Sequence, residues 1–85
     1  MDRYNVQFTR RSAKELAKLP RSVQQRIAGA VDGLQDDPRP PGVKKLEGKG
    51  DFYRVRVGDY RIIYQIEDDK LIVLVVRVRN RREAY

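Results

Sequence analysis

Apolar and polar residues alternate from Phe52 to Gln65 on both sides of Gly58-Asp59, and this period of two predicts a β-hairpin. Gly58-Asp59 suits a two-residue turn, a geometry that needs positive φ. Such a loop sets Val57 opposite Tyr60, Arg56 opposite Arg61 and Val55 opposite Ile62. Tyr53, Val55, Val57, Tyr60, Ile62 and Tyr64 then share one face, while Arg54, Arg56 and Arg61 share the other.

Upstream, Tyr4-Asn-Val-Gln-Phe8 alternates and predicts a first strand with Tyr4, Val6 and Phe8 inward. Thr9 and Ser12 compete as the cap of a first helix. Ser12-Ala-Lys-Glu15 fits a capping box, whereas Thr9 gives the longer helix. Ala13, Leu16, Ala17 and Leu19 would form its narrow apolar stripe, with Arg10, Arg11, Lys14 and Lys18 facing water. Beyond Pro20 a second helix carries Val23, Ile27, Ala30, Val31 and Leu34 at steps of three and four. Gly29 and Gly33 fall inside it, where they would permit close packing.

Asp37-Pro-Arg-Pro-Pro-Gly42 breaks the pattern and reads as an ordered connector, because neither side alone could bury a core. Lys44 to Gly50 reads as a loop anchored by Leu46. After the hairpin, Glu67-Asp-Asp-Lys70 predicts a second turn, and Lys70 to Val78 a last strand. That strand is apolar on both faces through Val76, as expected at the centre of a sheet. Its register is open. A two- or four-residue turn puts Arg77 and Arg79 on the tyrosine face, and a three-residue turn puts them with Arg61.

The resulting order, β-α-α-β-β-β, predicts one α+β domain over residues 1–85, with two helices on one face of a small antiparallel sheet. The tyrosine–valine face meets the helices and the arginine face is left bare. Like charges directly opposite on a sheet destabilise it by tenths of a kcal/mol to about 1 kcal/mol. The arginines are therefore either solvated and screened, or arranged for an anion such as a polyphosphate chain.

Charge favours an acidic partner. The 85 residues hold 19 Lys and Arg against 12 Asp and Glu, a net charge of +7, which points to nucleic acid, an acidic protein or an anionic membrane. With no cysteine and no histidine, neither a disulfide framework nor a zinc site is expected, and no cofactor is implied. Met1-Asp-Arg-Tyr opens with charge and no apolar segment follows, so no signal peptide is expected. The apolar run Leu71–Val76 is too short to span a bilayer. A cytoplasmic protein without membrane attachment is the expectation.

The element order, together with Leu46-Glu-Gly, Tyr53-Arg-Val-Arg56, Gly58-Asp-Tyr-Arg-Ile-Ile-Tyr64 and the closing Arg-Arg-Glu-Ala-Tyr85, resembles the RelE family of toxin–antitoxin toxins over essentially the whole chain. The resemblance implies a fold like that of microbial ribonucleases. It also implies a toxin that enters the ribosomal A site and cuts messenger RNA, the 2′-hydroxyl attacking the adjacent phosphate. The partners it implies are a cognate acidic antitoxin, the ribosome with its 16S rRNA, and operator DNA reached only through the antitoxin. Arg54 and Arg56 fall where the family carries basic residues, lysines in its best-studied branch. Arg61 matches the arginine that holds the phosphate, and Arg81 the one that stabilises charge or protonates the leaving 5′-oxygen. Tyr85 matches the tyrosine proposed as general base and stacking platform. Asn80 stands where many relatives have histidine. Tyr85 closes the sequence, where an adjacent α-carboxylate would make its phenol harder to ionise.

The chemistry can be argued without the family. Internal transfer in RNA needs a base for the 2′-hydroxyl, charge stabilisation on phosphorus and an acid for the leaving oxygen. Arginine suits the second task because its planar fork pairs with two phosphate oxygens, but it stays protonated and is no base. Without histidine the base is a tyrosine or a carboxylate. Tyr53, Tyr60 and Tyr64 are expected in the core and Tyr4 in the core or at its edge, which leaves Tyr85, at the tail beside the arginines, with Glu83 as rival base or as ion-pair partner of Arg79 or Arg81. Lys44, Lys45, Lys49, Arg77, Arg79 and Arg82 are candidates for RNA or ribosome contact. The competing class is a non-enzymatic toxin like ParE, which shares the fold and poisons DNA gyrase by binding it.

Overall fold

Each element forms for a local reason. Thr9, in extended conformation, accepts the Ser12 N–H through its side chain at 3.1 Å and so caps α1 (Arg10–Ala17). The chain leaves that helix at Lys18 and starts α2 (Arg21–Asp36) after Pro20, which lacks a capping side chain. Gln24 partly replaces the missing cap at the junction. Its side-chain amide donates to the carbonyl of Leu19 at 2.8 Å, so the second helix ties off the end of the first.

A computed structural model of the protein describes residues 3–46 and 51–80. The strands are β1 (Asn5–Phe8), β2 (Lys44–Lys45), β3 (Phe52–Val57), β4 (Tyr60–Glu67) and β5 (Ile72–Asn80), and they form one sheet in the order β1-β5-β4-β3-β2. The α+β architecture with both helices on one face is the expected one. Two details differ. The sheet is mixed, because β1 runs parallel to β5, with Asn5 beside Ile72 and Phe8 beside Val75. A two-residue strand, Lys44–Lys45, also pairs with β3 inside the segment expected to be loop.

The central hairpin follows the alternation: Val57 faces Tyr60, Arg56 faces Arg61 and Val55 faces Ile62. Gly58 supplies the turn with φ +60°. The next connection spans four residues, since Glu67 pairs with Ile72 and Leu71 turns the chain at φ 54°. By itself that turn would send Arg77 and Arg79 to the helix side. A β-bulge reverses the outcome. Tyr64 pairs with Val75 and Ile63 with Arg77, so Val76 is the additional residue and every later side chain changes face. Val78 therefore lies opposite Ile62, and Arg79 opposite Arg61.

Ile27, Val31 and Leu34 of α2 pack on Ile62, Tyr64, Val73, Val75 and Val78 to make the core. Full burial of such side chains contributes about 1.5–3 kcal/mol each. On α1 the buried residue is Ser12, whereas Ala13 and Ala17 are exposed and Leu16 and Leu19 half-buried. Gly29 and Gly33 meet open space rather than a packed neighbour. Among the described residues no helix is long and apolar enough to cross a membrane.

The connector is ordered, as expected. Tyr64 is fully buried and donates its hydroxyl to the Pro38 carbonyl at 2.7 Å, and burial pushes its phenol up to about 12. Arg39 grips both oxygens of Asp68 at 3.1 and 2.9 Å and lies 5.2 Å from the centre of the Tyr53 ring. Tyr4 donates to the same carboxylate at 2.6 Å.

Candidate anion-binding face

Strand pairing arranges the arginines into a row. Arg56 of β3, Arg61 of β4 and Arg79 of β5 lie directly across from one another, and Arg54 sits two residues from Arg56 on the same face, paired with Lys44 of β2. Side chains paired in this way have Cβ atoms about 4.5–5.5 Å apart. Three arginine side chains thus leave neighbouring positions on one face of three adjacent strands. A nucleic-acid backbone, which repeats its charge at comparable intervals, is the matching partner.

The face is held from behind. Tyr53, Val55, Tyr60, Ile62 and Tyr64 alternate with the arginines and pack against the helix-covered core, so the sheet cannot rotate its charged side away. The Nε atoms of Arg54, Arg61 and Arg79 are buried, while Arg56 is exposed. Arg54 and Arg56 form no ion pair with any described residue. Each guanidinium presents planar N–H donors suited to two phosphate oxygens, and a partly desolvated donor binds an anion more strongly than one in bulk water.

The remaining expected site residues divide. Arg79 joins the row. Arg77 does not: its guanidinium is committed to Glu15 of α1, Nε to both carboxylate oxygens at 3.2 and 3.0 Å, and a terminal nitrogen at 2.9 Å. Burial pushes the Glu15 carboxyl up, but hydrogen bonds from Arg77 and the Val78 amide outweigh it and hold the group below its ordinary range. Lys45 pairs with Asp51 at 3.2 Å, and Lys44 lies in the ladder beside Arg54. Lys49, Arg81, Arg82, Glu83 and Tyr85 lie outside the described residues.

Among the described residues Tyr53, Tyr60 and Tyr64 lie on the other side, and the one carboxylate of β4 on this face, Glu67, stands six residues along from Arg61 and pairs with Lys70 at 3.8 Å. No group of three or more described Asp or Glu residues is placed to hold a metal ion. The arrangement can therefore bind and neutralise a phosphate, and proton transfer must come from elsewhere. A cleft of about 240 Å³ does exist, lined by Glu15, Lys18, Leu19, Tyr60, Val78 and Asn80, but it opens on the helix side and contains none of the arginines. An extended backbone needs a charged surface more than a cavity, so the row is the stronger site.

The sequence reading missed the role of Thr9, Ser12 and Glu15, which reach from α1 to the backbone of β5 around the bulge. Their signal was present as a polar residue every third position, read there as competing caps.

Comparison with known proteins agrees with this geometry. A family model described as the ParE toxin of type II toxin–antitoxin systems, parDE, matches residues 6–85. The mRNA interferase toxin RelE of Escherichia coli K12 is 33% identical over 86 residues, covering 96% of this chain and 90% of that protein. The crystal structure of the archaeal RelE–RelB complex from Pyrococcus horikoshii OT3 superposes with a TM-score of 0.83 at 34% identity, over 95% of this chain and 98% of that one. The intact RelBE toxin–antitoxin complex of Escherichia coli gives 0.80 at 30% identity, over 91% of this chain and 95% of its counterpart.

Proposed function

We propose, for a chain that belongs to the RelE/ParE superfamily of type II toxins, that it is an endoribonuclease that cuts messenger RNA and is held in check by a cognate antitoxin. The single observation that carries this reading is the row Arg56–Arg61–Arg79 with Arg54 beside it. The similarity to an mRNA interferase supports the substrate, and the toxin–antitoxin complexes of its relatives support the partner. A net charge of +7 makes that partner acidic, with charge pairing that weakens in salt.

In the reaction, the 2′-oxygen bonds to phosphorus as its proton leaves, and the bond from phosphorus to the 5′-oxygen breaks as that oxygen gains a proton. A 2′,3′-cyclic phosphate and a 5′-hydroxyl result. Arg61 and Arg56 bind the non-bridging oxygens and Arg54 supports them, stabilising charge that grows on the way to the transition state. Arg81 protonates the leaving oxygen or neutralises its charge, and Tyr85 serves as base and stacks on a nucleobase. Lys44, Lys49 and Arg82 contact RNA.

Ribosome dependence follows from the weakness of that base. With an unperturbed pKa near 10, under ~1% of a tyrosine is phenolate at neutral pH. Free RNA is therefore a poor substrate, and alignment in the ribosomal A site supplies the missing rate. A cytoplasmic location, where ribosomes and messages are, belongs to this reading.

Primer extension on messages translated in a reconstituted system tests the reading. Cuts at codon positions are expected, falling at least about 10²-fold in Arg61→Ala and in Arg81→Ala. Undiminished cuts in both variants would remove the arginine mechanism. Intact messages with arrested gyrase would establish the ParE-like activity instead.

A further inference from the structure

We infer that Thr9, Ser12 and Glu15 form a positioning device, which brackets the β5 bulge and thereby keeps Arg79 in the arginine row. The inference rests on the nuclease reading for its catalytic consequence.

These three residues fall three apart on the side of α1 that faces β5. Thr9 donates its backbone N–H to the Val75 carbonyl at 3.1 Å, and its hydroxyl lies 3.4 Å from the Val76 carbonyl. Ser12 is fully buried and donates its hydroxyl to the same Val75 carbonyl at 2.7 Å. Glu15 accepts the Val78 N–H at 2.9 Å while its carboxylate grips Arg77. The groups so engaged flank Val76, the residue at which the ladder to β4 is interrupted.

β1 ends at Phe8, so the backbone groups of β5 that face its side from Val75 onward need other partners. Here α1 provides them. The parity of β5 gives this its importance. Before Val76 the strand buries Val73 and Val75 against the helices; after it, only the additional residue puts Val78 inward and Arg79 beside Arg61. A polar row on one helix thus governs where a cation stands on the opposite face of the sheet.

Glu15 holds Arg77 and the Val78 amide and stands outside the arginine row, so in this proposal it acts through Val78 and Arg79. The test measures kcat and KM for programmed ribosomes alongside hydrogen exchange at the Val78 amide. Glu15→Ala is expected to lower kcat by about 10- to 100-fold, as an ångström-scale misplacement does, with KM held within about threefold. Its Val78 amide should lose protection. Glu15→Gln keeps an acceptor oxygen and should recover kcat to within about threefold of the wild type.

Asp68→Asn is the stability control. It weakens the Arg39 clamp at the distant end of the β4–β5 hairpin and should lower Tm without changing kcat. Ser12→Ala removes the bond to Val75 together with the hydroxyl's two 3.1 Å contacts to Thr9, leaves the Glu15–Arg77 pair in place, and should repeat the Glu15→Ala effect in milder form. It also decides the matter should Glu15→Ala fail to fold. Wild-type kcat in both Glu15→Ala and Ser12→Ala would overturn the proposal, as would losses that track Tm equally in Asp68→Asn. A wild type that cuts no message would remove the nuclease reading and the catalytic half of this one. Exchange at Val78 then judges the bracket by itself.

Discussion

Tyr64 carries a hydroxyl into the core and finds a single acceptor there, the Pro38 carbonyl. Replacement by Phe strands that carbonyl and is expected to destabilise the fold by about 1–3 kcal/mol in urea denaturation. Asp68 sets a second residue-scale expectation. Hydrogen bonds from Arg39 and Tyr4 lower its carboxyl from 3.8 to about 2. A depressed carboxylate stabilises the fold above its unfolded pKa and loses that contribution as pH falls through the folded value. Glu15, lowered from 4.5, acts in the same direction. Thermal melts should therefore be flat from pH 8 to 5, there being no histidine to titrate, and then decline from about pH 4.5 towards 2. Asp68→Asn should shallow that decline. The core role of Tyr64 was legible because alternation alone assigns its face. The Arg39 clamp was not, since nothing local joins residue 39 to residue 68.

Elements differ in how far their sequence betrays them. The β3–β4 hairpin was legible pair by pair, because a period of two and a two-residue turn leave one register. Its hinge is testable. Gly58 has φ +60°, and a Cβ there would meet Arg26 Nη2 at 3.0 Å. Gly58→Ala is expected to lose about 1–2 kcal/mol, mainly for the left-handed backbone, since the Arg26 head can swing away. Gly29 and Gly33 behave oppositely: open space surrounds both, so Ala at either should gain up to about 1 kcal/mol in chemical denaturation. On α1 the apolar stripe pointed to Ala13, but Ser12 is the buried residue because its hydroxyl has a carbonyl to reach. Hydrophobic patterning does not register a polar group that is buried and satisfied. The bulge at Val76 was hidden for a related reason. β5 is apolar on both faces there, and an additional valine leaves no gap in such a run.

At the scale of the molecule, charge outweighs shape. The arginine row lies on a sheet whose opposite side is closed by two helices, so an anion has one broad approach. Each phosphate neutralised on a single strand contributes about −0.7 to the slope of log affinity against log salt. Arg56→Ala should flatten that slope by about this amount for single-stranded RNA, measured by fluorescence anisotropy between 50 and 200 mM salt. The α+β class and the arginine face were legible in the order of elements. The parallel pairing of β1 with β5 was not, because no local pattern specifies a partner at the other end of the chain.

That pairing has a consequence for synthesis. Translation delivers β1 early, yet the strand it pairs with among the described residues is β5, which also completes the arginine row. A chain interrupted before β5 has neither a closed fold nor Arg79 in place. An unfinished copy therefore lacks part of the row, and the anion-binding face is completed only when the last strand docks.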